Sequence, residues 1–454
     1  MAEEDASWAS VEFGSAELGD ARLTARLVKL AEGIGDQPGA SLPQALDAAG
    51  LKAAYRFFDN DDVEPDAIVA AHTRATYARI AGMPLVLAVQ DTSLLDFSDH
   101  VATAGLGMLA HRQSRGIVVH TTTASTPEGV PVGVLAQERI VRSDDPCVGL
   151  DPRRKSVDEK ESHKWLGGLD AAIAVAEACP GTRVISVADR EGDVYDLFAA
   201  PRPATVDLLV RAAQDRVVAG PHRRLWATVE AMPVATITTV HVPTRDGKPA
   251  RDASLTVRFC PVDLRRPVGR ITNDQPAVAL WAVLASEENP PSDTSPVSWM
   301  LLTTCAVATV ADALERLAWY ARRWGIELFH KVLKSGCRIE AKQLGTADRL
   351  ARCLALYSVV AWRVMYAAML ARTAPDAPCT AILEPDEWRA LACITLKVRI
   401  PPDQPPTLRD AVRWIGRLGG FLGRKSDGEP GPTALWRGFQ RLHDLSAMYH
   451  VMSQ

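Results

Sequence analysis

Two short apolar runs, each ending on a carboxylate, constrain this chain more than any other feature. PLVLAVQD (84–91) and TRVISVADREGD (182–193) open as continuous apolar stretches and close on acids. Each has the pattern of a strand buried on both faces, and each delivers an aspartate, Asp91 or Asp189, to its carboxyl end. Between them, GIVVHTTTAST (116–126) and VPVGVLAQERI (130–140) flank the turn-like PEG (127–129) and read as a hairpin. ESHKWLGGLDAAIAVAEACPG (161–181) reads as a helix stopped by Pro180 and Gly181, and ATVDLLVRA (204–212) as a further strand. The order β–β–β–α–β–α–β puts antiparallel strands first and βαβ crossovers later. It predicts an α/β fold with a mixed sheet and helices packed on it.

The flanks differ in character. Residues 8–80 read as short helices. LGDARLTARLVKLAEG (18–33) has Asp20 as its N-cap, an apolar stripe through Leu23, Leu27 and Leu30, and Arg22, Arg26 and Lys29 together on another face. That basic face is either solvated or laid against a DNA backbone. Residues 213–300 are rich in Pro, Val, Thr and Arg and short of helical pattern; ATITTVHVP, ASLTVRFCPV and AVALWAVLAS read as strands of a β-rich insertion. SWMLLTT (298–304) returns to a strand, and ADALERLAWYARRWGIELFHKVLKSG follows as one long helix. ADRLARCLALYSVVAWRVMYAAMLAR (347–372) is apolar nearly all round and therefore buried. A Pro-rich joint around 374–406 leads to a helical tail. Its stripe of Leu435, Phe439, Leu442, Leu445 and Tyr449 packs either on the chain's own core or on a second copy.

At 454 residues the chain exceeds what a single core usually supports, so two or three domains are expected. No run of about 18 uncharged apolar residues occurs, and MAEEDASWAS is acidic rather than basic-then-apolar. Neither a membrane span nor a classical signal peptide is expected. The eight cysteines are scattered with no C-x-x-C pair, which predicts neither zinc site nor disulfide framework and makes a reducing cytoplasm the default. The net charge of −4 argues mildly against nucleic acid, but its distribution is uneven. Residues 1–70 hold 14 acids against 5 bases, whereas residues 320–352 hold 8 bases against 3 acids. A local basic surface is what phosphate binding requires.

YARRWGIELFHKVLKSG (320–336) lies in that basic stretch. Wound at about 100° per residue, it puts Tyr320, Arg323, Glu327 and Lys334 within an arc of about 60°, with Lys331 beside them and His330 at the edge. Ile326, Phe329, Val332 and Leu333 lie opposite, toward a core. Alone, this is an amphipathic helix with a solvated charged face, just as an acid ending a strand commonly caps a following helix. Together the features point further. Ligands gather at the carboxyl ends of strands in α/β sheets, and carboxylates there suit Mg²⁺ or Mn²⁺. Two such ions about 3.5–4 Å apart hold the attacking and leaving oxygens of a phosphodiester in line.

At this point the chain resembles the bacterial cut-and-paste transposases of the DDE class, in the insertion-sequence-four group. The resemblance runs nearly end to end. It covers LGDARLTARLVKLA and AAYRFFDN; QDTSLLDFS (90–98); QSRGIVVH (113–120); DEKESHKWL (158–166); ADREGDVYDL (188–197); VSWMLLTT (297–304); and RLGGFLGRKSDGEPGPTALWRGFQRL (417–442). The group's Y-x2-R-x3-E-x6-K signature is met without a gap by Tyr320, Arg323, Glu327 and Lys334.

The resemblance implies a ribonuclease-H-like catalytic domain over 76–372 with the β insertion about 213–300. A helical DNA-end-binding domain over 1–75 and a C-terminal helical dimerisation domain over 373–454 would flank it. Asp91, Asp189 and Glu327 would bind two Mg²⁺ ions per active site, with Mn²⁺ able to substitute. The enzyme would cleave transposon terminal repeats through a hairpin intermediate and join the 3′ ends to target DNA. Arg323 and Lys334 would clamp phosphate and Tyr320 would hydrogen-bond it. Lys331 joins that DNA-facing set, and Trp299 would receive a flipped base. Arg211 matches a position near DNA; Lys164 is either a phosphate contact or a surface lysine, and His330 either contacts DNA or is structural. In the acidic N-terminal region Arg22, Arg26, Lys29 and Arg56 would supply a local patch. The partners implied are double-stranded DNA and a second copy, as a homodimer in the synaptic complex. The competing readings are a catalytically silent DNA-binding inhibitor or domesticated copy, and a two-metal nuclease that does not join strands.

Overall fold

The computed structural model describes residues 7–109, 113–143, 161–242, 250–266, 277–292, 294–424 and 427–453. Five helices open the chain: α1 (Trp8–Phe13), α2 (Ala21–Asp36), α3 (Leu42–Ala45), α4 (Ala48–Phe58) and α5 (Pro65–Ile80). As the sequence predicts, Asp20 caps α2 by accepting from the Arg22 amide, and Leu27 and Leu30 are buried. Strands β1 (Leu85–Asp96), β2 (Gly107–Met108), β3 (Arg115–Ser125) and β4 (Pro131–Ile140) follow, with β3 and β4 forming the expected antiparallel hairpin.

Next come α6 (Lys164–Ala178), β5 (Arg183–Ala188), α7 (Tyr195–Ala199) and β6 (Val206–Arg211). The insertion contains a short helix, α8 (Leu225–Glu230), that its composition did not advertise. It then forms the three expected strands, β7 (Thr236–Val242), β8 (Arg251–Leu264) and β9 (Val278–Ser286). After β10 (Ser298–Thr303) the chain is helical: α9 (Val310–Arg322), α10 (Trp324–Lys331), a π-helical turn Val332–Gly336, α11 (Ala347–Thr373), α12 (Pro385–Leu396), α13 (Leu408–Leu418) and α14 (Pro432–Ser453).

The ten strands form one mixed, mostly antiparallel sheet in the order β2-β3-β1-β5-β6-β10-β9-β8-β7, with β4 paired to β3. Its two parallel pairings, β1 with β5 and β5 with β6, lie side by side. These are the strands that the apolar runs predict; β5 and β6 are buried along nearly their whole length, and β1 is buried over residues 86–90, mostly within its stretch paired to β5.

The chain divides into two compact units. One comprises 1–80, 92–146 and 325–454; the other comprises 81–91 and 147–324. The first is mainly helical. α11 is long and apolar enough by composition to cross a membrane, but 78% of its most apolar window is buried in the protein, as a core helix requires. Leu435, Phe439 and Leu442 of α14 join Trp388, Leu391 and Ile415 in a core of the same unit, so that three of the five stripe residues pack on their own chain. The second unit holds the parallel strand trio, α6 to α9 and the β insertion.

One expectation needs correcting. The Tyr–Arg–Glu–Lys segment is not one regular helix. α9 ends at Arg322, where the Arg323 amide turns back onto Tyr320 O in a tightened last turn, and α10 restarts at Trp324. A π-helical turn then carries Lys334, its Cys337 amide donating to Val332 O at 2.8 Å. Arg323 itself keeps right-handed helical dihedrals (φ −52°, ψ −32°), so the departure from a regular α-helix is clearest at the π-helical turn that carries Lys334. Gly325, a weak helix former, occupies the second position of the restarted helix. The apolar side does follow the expectation: Ile326, Phe329, Val332 and Leu333 are all buried.

Candidate active site

In the strand-bearing unit, register brings three of the candidate residues into one row. β1 and β5 pair in parallel up to Val89↔Val187, and β5 and β6 up to Ala188↔Val210. Two more residues along β1 and one more along β6 put Asp91 level with Asp189, and Asp189 level with Arg211. Adjacent strands lie about 4.8 Å apart, and residues level with one another share a face. Asp91 is the first residue not fully buried after five buried ones on β1, and Asp189 is the first after β5. The apolar run predicts a first strand ending at Asp91, but β1 continues to Asp96. Asp91 therefore marks the point where the strand leaves its buried, parallel-paired stretch, whereas Asp189 directly follows β5.

Local bonds hold both sites. Gln90, wholly buried, donates from Nε2 to Ser186 Oγ at 2.9 Å and ties β1 to β5 one residue before Asp91. Asp189 Oδ1 accepts the Glu191 amide at 2.8 Å, which shapes the DREGD turn. Asp193 closes that turn. Its buried carboxylate accepts the Ala213 and Gln214 amides at 2.8 and 2.9 Å and pairs with Arg216 Nε at 2.6 Å. Asp193 and Arg216 are supporting residues that sequence reasoning missed. The repeated acid in DREGD was a signal for one of them; nothing marked Arg216. Lys164 is buried, 3.2 Å from Glu161 and 3.7 Å from Glu191, so it faces the same turn. Asp158, Glu159 and Lys160 of the DEKESHKWL motif lie outside the described residues.

A cationic and aromatic group borders this row. Arg323 Nη1 lies 3.3 Å from Asp91 Oδ2, with both side chains mostly buried. Tyr320 is buried, and that burial pushes its phenol above its ordinary pKa against the opposing pull of Arg323 and Arg211. It is therefore a neutral hydrogen-bonding group. The Arg323 guanidinium carbon lies 6.0 Å from the Tyr320 ring centroid, and Trp299 meets the same ring edge-on at 5.5 Å. Arg211 donates from Nη2 to Ser298 O at 2.8 Å, whereas its buried Nε has no hydrogen-bond partner. Asp91, Tyr320, Arg323, Arg211 and Trp299 thus lie in one neighbourhood of this unit.

Glu327, Lys331, Lys334 and His330 belong to the other unit. Glu327 is half-buried on α10, and Lys331 follows it by four residues, on the same helical face. Lys334 donates to Leu94 O at 2.5 Å and lies 3.7 Å from Glu340. His330 is buried, 3.5 Å from Thr121 Oγ1, a structural setting. Arg22, Arg26 and Lys29 are all exposed on α2, with Arg22 paired to Asp20.

Among the described residues no cluster of three or more His, Cys, Asp or Glu is drawn together tightly enough to hold a metal ion. The donor chemistry nonetheless fits a hard divalent cation. Asp91, on β1, and Asp189, directly after β5, are level by continued register, partly accessible, and offer oxygen ligands, as Mg²⁺ requires.

Residues 5–63 match the family model described as transposase DNA-binding, and residues 359–449 match that of the transposase Tn5 dimerisation domain. Between them, the two matches support a Tn5-like DNA transposase that binds DNA and forms a dimer. Among solved structures, the chain matches a cryo-EM structure of the piggyBac transposase synaptic complex with hairpin DNA. The two are 10% identical, the match covers 80% of this chain and 75% of that one, and the TM-score is 0.36. A likeness at that score carries no argument about this protein.

Proposed function

We propose that this protein is a DDE-class transposase of the insertion-sequence-four group, built on a ribonuclease-H-like core and acting on DNA ends through Asp91, Asp189 and Glu327. The observation that supports the reading is the parallel register of β1 with β5, which, continued two residues past Val89↔Val187, brings Asp91, midway along β1, level with Asp189, the residue after β5. It occurs in a chain whose flanks match a transposase DNA-binding model and a dimerisation model.

Asp91, Asp189 and Glu327 would hold two Mg²⁺ ions, with Mn²⁺ able to substitute. When bound, such ions polarise the scissile phosphate and stabilise the attacking and leaving oxygens. The protein's own groups do the positioning. Arg323, the counter-ion of Asp91, is within reach to transfer part of its charge pairing to a phosphate oxygen once that carboxylate is otherwise engaged. Tyr320, kept neutral by burial, orients Arg323 and donates its hydroxyl proton to phosphate. Lys331 and Lys334 supply further phosphate contacts, and Arg211 extends the cationic row. Trp299, half-buried on β10 against Tyr320, offers a ring face for a base extruded as the strand bends. Arg22, Arg26 and Lys29 on α2 contact the terminal-repeat backbone, and Lys164 steadies the turn beside Asp189.

The reaction is phosphoryl transfer in four steps. Water attacks a phosphorus at the transposon end and displaces a 3′-oxygen, which leaves protonated as a 3′-hydroxyl. That hydroxyl attacks a phosphodiester of the opposite strand and closes a hairpin, displacing the flanking DNA's 3′-oxygen as a hydroxyl. Water then attacks the hairpin phosphodiester and frees the 3′-hydroxyl again. This hydroxyl attacks a target phosphodiester, displacing the target strand's 3′-oxygen as a hydroxyl. The test is incubation with Mg²⁺ and DNA carrying the element's own ends. Hairpinned donor ends and joined product are expected. Binding without cleavage would instead support a silent inhibitor, and nicking without hairpin or joined product a nuclease.

A further inference from the structure

The mainly helical unit carries a groove of about 470 Å³ that none of the motifs explains. Three separate stretches build it: Gly39 after α2; residues 331–338, with Lys331 at the end of α10 and Arg338 just beyond the π-helical turn; and Arg437 with Gln440 on the first turns of α14. Its floor is packed backbone. A Cβ on Gly336 would come within 2.8 Å of the Trp436 ring, and one on Gly39 within 2.6 Å of the Gln440 amide nitrogen. Gly39 also approaches the Gly336 carbonyl oxygen, so that a Cβ there would lie 2.9 Å from it, and both glycines keep the floor low.

Its chemistry is one-sided. Lys331, Arg338 and Arg437 are exposed, and no lining residue is acidic. Three cations converging without a carboxylate repel one another, and a polyanion relieves that repulsion. Arg338 adopts the left-handed conformation (φ 51°), which is unfavourable for a residue bearing a Cβ, yet the position carries a long cation rather than glycine or asparagine. The neutral lining, Ser335, Thr433 and Gln440, supplies the hydroxyl and amide groups that commonly hydrogen-bond phosphate oxygens. Trp436 is nearly buried, so no aromatic face is presented for stacking a base. Lys331 also follows Glu327 by four residues on one helix, so a strand engaged at Glu327 has a cationic path toward α14.

We infer that this groove binds the phosphodiester backbone of duplex DNA without reading its bases, which gives the segment matching the dimerisation model a DNA contact of its own. The inference rests on the proposed transposase function and extends its DNA footprint to Arg338 and Arg437.

The test is fluorescence anisotropy of the full chain with a labelled duplex of about 30 base pairs and arbitrary sequence, across a salt series. Arg338→Asn, which tolerates the left-handed backbone, is combined with Arg437→Ala. Losing two phosphate contacts should flatten the slope of log K against log salt by about 1.8, and Arg338→Lys with Arg437→Lys should restore it. Arg437→Glu alone, at an exposed position, should weaken binding about tenfold or more and guards against a double variant that fails to fold. A wild-type slope in the Asn/Ala variant, or unchanged affinity in Arg437→Glu, would overturn the groove and leave the transposase reading standing. Absence of DNA binding by the wild-type chain would overturn both.

Discussion

His72 has both ring nitrogens committed. Nδ1 lies 2.5 Å from Glu12 Oε2, and Nε2 accepts the Val134 amide at 2.9 Å. An acceptor at Nε2 requires the neutral tautomer with its proton on Nδ1. Burial is the main cause that pushes the imidazole below its ordinary pKa; Glu12 pulls the other way and Arg79 adds to the depression. For Glu12, burial alone would raise the carboxyl, but His72 and Arg79 together hold it below the ordinary carboxylate range. Arg79 also lies over Trp362 of α11 at 4.4 Å. The cluster thus fastens α1 to α5, β4 and α11. Because the folded pKa is depressed, its stability is complete above the ordinary histidine value of about 6.5 and is lost as pH falls below it. His443, raised by its hydrogen bond to Asp36, has the opposite sign, but it is half exposed and weighs less. The melting temperature should therefore fall between about pH 7 and pH 5, and fall less in His72→Gln, which keeps a donor and an acceptor without titrating in this range. An equal fall in both proteins would count against the cluster. None of this was legible in the sequence, where Glu12 and His72 are isolated residues and only folding makes them neighbours.

At the scale of elements, periodicity worked where the element was regular. α2, with its Asp20 cap, the β3–β4 hairpin and the buried α11 were all readable, because each follows one repeat from end to end. The Tyr–Arg–Glu–Lys segment was half readable. Its apolar residues are buried as expected, but the segment is divided at Arg323 and passes into a π-helical turn at Val332. Such interruptions leave no period to detect. The C-terminal stripe splits in two. Leu435, Phe439 and Leu442 are in the core of their own chain, while Leu445 and Tyr449 farther along α14 are only partly buried. Leu442→Ala should therefore cost about 2–5 kcal/mol in urea denaturation, because the fully buried site leaves a cavity. A loss below about 1 kcal/mol would mean the helix end packs less firmly than its burial indicates.

For the whole molecule, the sequence located the two aspartates because a buried parallel strand is a continuous apolar run whatever surrounds it. Their register with Arg211 was not readable, since pairing depends on the crossovers and not on either strand. The Arg323 pairing with Asp91 was equally hidden, 232 residues apart in the chain. Overall charge was a poor guide: the N-terminal stretch is acidic in sum, yet Arg22, Arg26 and Lys29 are exposed together on α2. The central claim is that Asp91, Asp189 and Glu327 act as one catalytic set on DNA. Single-turnover cleavage of end-bearing DNA in Mg²⁺ tests it most directly, comparing Asp91→Ala, Asp189→Ala and Glu327→Ala with the wild-type chain. Each variant should lose activity on the order of 10³-fold, about 4 kcal/mol of transition-state stabilisation, while its DNA affinity changes only a few-fold. Any one of the three cleaving within about tenfold of the wild-type rate would contradict the account.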